Sequence, residues 1–184
     1  MNIIKIHGPV FLLLLALAFA AFGTILGTEL WDGTDAQIVL DAHELSREPG
    51  AMFGHIGFYF SQPLLQLAFL AQYQLFGLNM AGYMAVNLFI HAVNAFMVYM
   101  LVHMLFPQKR MAVLAGILFV LGVGSYGRVL MTIHQLEALL LACFHLLVLY
   151  FFIRNDFRRD GGVRSPLFAI GLVLFLLTGL TKAA

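Results

Sequence analysis

From Phe11 to Ala21 the chain runs FLLLLALAFAA, eleven consecutive residues without a charge or a hydrogen-bonding side chain, and comparable runs recur to its end. In water such a run must be buried. Here too few polar residues exist to cover the runs, because 62% of the 184 residues are hydrophobic and only 10% are charged. A soluble domain has about 45–50% and about 25%. The chain therefore reads as a single all-α membrane domain, residues 1–184, built as a polytopic helix bundle.

About five spans are expected, over residues 9–30, 83–106, 111–125, 136–153 and 167–180, each judged against the roughly 17–25 apolar residues that cross a bilayer as helix. Ala16-Leu-Ala18 and Ala18-Phe-Ala20 resemble signal-peptide cleavage sites, but the first stretch is read as a retained span. Pro63–Phe76 is apolar yet interrupted by Gln66, Gln72 and Gln74. It is expected to lie as an interfacial helix within an extracytoplasmic loop, residues 31–82, tucked against the second span.

The net charge of +1 conceals a segregation by sign. With the amino terminus in the cytoplasm, Lys5, Lys109, Arg110, Arg154, Arg158, Arg159 and Arg164 fall inside, and only Arg47, Arg128 and Lys182 fall outside. Glu29, Asp32, Asp35, Asp41, Glu44, Glu48 and Glu137 sort to the outer side, and only Asp156 and Asp160 fall inside. Short cytoplasmic loops collect Lys and Arg, so the pattern predicts a multi-pass protein of a bacterial inner membrane. A full crossing by Pro63–Phe76 would invert the downstream loops. Membrane lipids and other integral membrane subunits are the expected partners, and nucleic acid is not. Cys143 is the one cysteine, so an internal disulfide and a cysteine-rich metal cluster are both excluded.

Polar residues within the spans are few. Asn87, His91 and Asn94 recur at i, i+4 and i+7, which sets them on one helix face. They are expected to face protein as interhelical hydrogen-bond glue. His91 and His145 would sit at similar depths in two spans running the same way, a geometry that raises a haem or chlorophyll-type pigment. Packing histidines are commoner, so no cofactor is required and no metal is expected. His134 is expected to pair with Glu137 at i+3.

Four segments follow one another in a recognisable order: Trp31-Asp32-Gly33-Thr34-Asp35; Tyr59-Phe60-Ser61-Gln62-Pro63-Leu64; Leu75-Phe76-Gly77-Leu78-Asn79; and Asn87-Leu88-Phe89-Ile90-His91-Ala92-Val93-Asn94-Ala95. Together they resemble the GT-C glycosyltransferases, in particular the protein O-mannosyltransferases and their bacterial relatives with tetratricopeptide tails. Leu177-Thr178-Gly179-Leu180-Thr181-Lys182 is similar to a later stretch of that family. The resemblance implies a polyprenyl-phosphate sugar as donor, Asp32 as the catalytic base with Asp35 as its alternative, and Arg128 and Lys182 as phosphate-binding cations. Two departures bear on activity: Gly33 stands where the family commonly has a second Asp, and Gln62 stands where it has Arg. The primary expectation is accordingly a GT-C-like scaffold, a non-catalytic accessory subunit of a larger membrane complex of respiratory or photosynthetic type. The alternative is the opening fragment of a glycosyltransferase acting at the outer leaflet.

Overall fold

The computed structural model describes residues 3–27, 33–48, 63–106, 108–122, 130–156, 166 and 169–173. Among them no strand occurs. The helices whose bounds lie within the described residues are α1 (Ile3–Phe22), α2 (Gly33–Arg47), α3 (Pro63–Phe76), α4 (Met80–Leu105), α5 (Lys109–Leu121) and α6 (Leu136–Asp156), with 3₁₀ turns at Gly23–Gly27 and Ile133–Gln135.

Three helical segments are long and apolar enough to cross a bilayer, His7–Gly27, Met80–Leu105 and Ile133–Arg154, which makes this a membrane protein. They coincide closely with the first, second and fourth expected spans. The first ends sooner as α-helix than its hydropathy suggests, passing into a 3₁₀ turn from Gly23. The residues of the third expected span form α5, which at 13 residues is not among the three, and of the fifth only residues 169–173 are described, where Gly171 lies against the ring of Phe152.

α4 is the hub, with α1, α5 and α6 packed around it. Side-chain pairings fix the directions. His7 meets Tyr99 while Phe22 meets His91, so α1 runs against α4. α5 also runs against it, since Gly116 lies beside Tyr99 and Val120 beside His91. On α6 the register advances in step with α4: Asn87 bonds to Thr132 and Asn94 to Leu139, so these two helices are parallel. Along the chain α1, α4, α5 and α6 thus alternate in direction. The end of α1, the start of α4 and the start of α6 share one end of the bundle, which also holds α2 and α3.

The apolar core divides along this axis. Ile25, Ile38, Leu65, Phe69, Tyr83, Met84, Leu88, Ile133 and Leu136 pack together at the α2–α3 end. Leu14, Ala18, Ala92, Ala95, Tyr99, Ala112 and Val120 pack through the middle and towards the opposite end. Alanines on α1, α4 and α5 let the backbones approach. Gly116 sits at a close approach, where an added Cβ would lie 3.1 Å from Leu14 Cδ1 and 3.3 Å from Tyr99 Cβ.

The α3–α4 corner is built from local chemistry. Gly77, at φ +56°, takes the left-handed conformation that ends α3. Its N–H donates to Tyr73 O at 2.8 Å, and Tyr83 Oη donates to its carbonyl at 2.8 Å. Asn79 then caps α4, its side chain accepting from Ala81 N at 3.2 Å. Helix α3 keeps the boundaries that its sequence predicts, and it packs on both α2 and α4.

One element was not anticipated. The acidic stretch after the first span forms α2, whose buried residues are Asp35, Ile38, Val39, Ala42 and Leu45. That spacing, i, i+3, i+4, i+7 and i+10, is the inner stripe of an amphipathic helix. Its low average hydropathy hid the stripe.

Candidate functional site

The buried polar side chains converge on the α2–α3 end. Asp35 has 0% exposure although it lies in a segment rich in solvated carboxyl groups. Its Oδ1 accepts from the backbone N–H of His134 at 3.0 Å and from His134 Nδ1 at 3.1 Å. Two helix starts account for a buried carboxyl group here. Asp35 lies in the first turn of α2, and it bonds the first turn of the Ile133–Gln135 helix, which Thr132 leaves without a side-chain cap. Unsatisfied N–H groups and the helix dipole favour an acceptor oxygen at both positions.

His134 is held at both ring nitrogens. With Nδ1–H donating to Asp35, Nε2 is the acceptor for the Gln135 side-chain N–H at 3.0 Å. The imidazole retains 26% exposure. His134 was expected to pair with Glu137; instead its nitrogens go to Asp35 and Gln135. Tertiary packing brings a better acceptor to the helix start than a side chain one turn on can supply.

Beneath this pair lies the polar face of α4. Asn87 Nδ2 donates to Thr132 O at 3.0 Å, the residue that leads into the Ile133–Gln135 turn. His91 Nε2 lies 3.2 Å from Val120 O on α5, its ring stacked on Phe119 at 5.5 Å. Asn94 Nδ2 donates to Leu139 O on α6 at 3.0 Å. All three are 4% exposed or less. One face of α4 thereby ties three separate segments through their backbone carbonyls. His145 by contrast is exposed and bonds Leu141 O in its own helix. No group of three or more His, Cys, Asp or Glu side chains suited to a metal occurs among the described residues.

A second link braces α2 on α3. His43 Nδ1 lies 2.7 Å from Tyr73 Oη, and the rings meet edge to face at 5.5 Å. Asp32, Arg128 and Lys182 lie outside the described residues. Of the acidic pair singled out in the sequence, Asp35 is the one seen, and it is engaged inside the protein. The signal for its burial was present in the stripe register of α2; its partner, 99 residues away, left none.

Comparison with protein-family models, with curated proteins and with solved structures finds no match.

Proposed function

We propose that the chain is an integral membrane scaffold of GT-C-like helical design, a non-catalytic accessory subunit of a larger membrane complex. The observation that carries this reading is the state of Asp35: wholly buried and bonded to His134, it serves to fasten α2 to the start of α6. The polar face of α4 is likewise occupied in joining helices. Apolar side chains meanwhile point outward, among them Leu12, Leu114, Leu118 and Leu149, available to lipid tails or to helices of neighbouring subunits.

In this reading five spans cross a bacterial inner membrane, with α5 and residues 167–180 adding two to the three long helices, and the amino terminus is cytoplasmic. Two features support it. Lys109, Arg110 and Arg154 gather at one end of the bundle with Asp156, and Asp35, Asp41, Glu44, Glu48 and Glu137 at the other with Arg47. Helix α1 also ends where α4 begins, so the segment between them returns to its own side, as an interfacial α3 requires.

The test is isolation of the tagged chain from its native membrane in a stoichiometric complex, together with assay of the purified chain on polyprenyl-phosphate sugars. We expect a defined complex and no sugar transfer. Transfer by the purified chain, abolished by Asp32→Ala, would establish an enzyme instead.

A second reading, the opening module of a polyprenyl-phosphate-sugar transferase, has one observation in its favour. The Asp35–His134 contact joins α2, which follows Asp32 in the sequence, to the turn that follows Arg128. A base and a phosphate-binding cation are the parts such a transfer needs.

A further inference from the structure

The opposite end of the bundle holds a cluster that none of the preceding roles uses. His7, near the start of α1, has Nδ1 2.8 Å from Tyr99 Oη on α4. One turn further along α4, His103 stacks on Tyr99 with ring planes 4° apart, and its ring meets His7 edge-on at 5.3 Å. His103 Nδ1 is buried and has no hydrogen-bond partner, so it is free to bond a further polar group. Lys109, exposed at the start of α5, lies within electrostatic range of His7, and Arg110 follows it at the surface. Among the described residues none of these groups is ion-paired to a carboxyl group. Among the described side chains, hydrogen-bond donors and cations converge here without a carboxyl partner.

Apolar surface adjoins them. Leu105 is 49% exposed, Phe106 55% and Met111 53%, and all three lie where the long helix Met80–Leu105 reaches its end. A ligand suited to both parts carries an anionic group with several acceptor oxygens on an apolar body.

We propose that His7, His103 and Lys109 form a niche for the phosphate group of an anionic phospholipid, with Leu105, Phe106 and Met111 seating its acyl chains. Turning the His103 imidazole towards the surface exchanges its orphaned nitrogen for a phosphate contact. Membrane-facing basic pockets between helices bind anionic headgroups by this chemistry. A soluble phosphate would use the same donors, but it would make no use of the apolar surface beside them.

The test uses the full chain purified in detergent and titrated with phosphatidylglycerol, phosphatidylcholine or inorganic phosphate, with bound species counted by native mass spectrometry. Preferential retention of phosphatidylglycerol is expected, and Lys109→Ala should weaken it about fivefold, the worth of one basic residue at a membrane surface. His103→Phe keeps the stacking ring and removes the nitrogens; it should weaken retention without loss of folding, checked by thermal unfolding. Equal retention of both lipids by the unaltered chain overturns the proposal, as does a preference that survives both substitutions. Inorganic phosphate that displaces phosphatidylglycerol at equal concentration assigns the niche to a soluble ligand and overturns the lipid assignment.

Discussion

Asp35 Oδ1 meets both the backbone nitrogen and the Nδ1 of His134, at 3.0 and 3.1 Å, across 99 residues of sequence. The carboxyl group caps a helix to which it does not belong. It thereby makes the docking of α2 a condition of the start of α6.

Removing one member of a buried hydrogen-bonded pair strands the other. Asp35→Ala should lower stability by about 1–3 kcal/mol, the cost of a buried donor left unsatisfied, and Asp35→Asn, which keeps an acceptor oxygen, by clearly less. His134→Ala should cost less than Asp35→Ala because the backbone N–H bond survives. Unfolding in detergent–denaturant mixtures measures all three, and an Asp35→Ala protein as stable as the parent would contradict the capping role.

The polar face of α4 makes a second prediction. Asn87→Ala and Asn94→Ala should each cost about 0.6–2 kcal/mol, the range for interhelical hydrogen bonds in membranes. The two bonds reach different carbonyls, Thr132 O and Leu139 O, so the losses should add in the double variant to within about 0.5 kcal/mol. A large coupling would mean that they act through a shared rearrangement.

Two glycines test the packing. A Cβ on Gly82 would strike the Phe76 ring and lie 2.8 Å from Phe76 Cβ, an atom unable to swing aside. Gly82→Ala should therefore destabilise by about 1–3 kcal/mol through overpacking. At Gly116 the nearest atoms are 3.1–3.3 Å away, two of them the methyl ends of Leu14, so Gly116→Ala should be milder and Gly116→Leu severe. Thermal unfolding of the three variants gives the order directly.

Orientation is open to chemical labelling. In a Cys143→Ser background, a cysteine at exposed Gln37 should react with an impermeant maleimide from outside the cell, and one at exposed Lys109 only after permeabilisation. Labelling of position 109 in intact cells would invert the proposed topology.

Much of this architecture was legible in the residues. The three long helices and the bounds of Pro63–Phe76 follow from hydropathy and from polar interruptions, because lipid forces a spanning backbone to bond within itself. The shared face of Asn87, His91 and Asn94 follows from helical periodicity alone. Periodicity says nothing of what a face meets. That His91 reaches α5 while Asn94 reaches α6 depends on how α4 is packed between them.

At the α2–α3 end, local sequence was a poorer guide. Glu137 is near His134 in the chain, whereas Asp35 becomes its neighbour only after α1 and α4 pack antiparallel and the connection between them folds back over the start of α6. The stripe of α2 recorded that Asp35 points inward. The identity of its partner was a property of the assembled bundle, since a contact between residues so far apart is set by the packing of the helices that carry them.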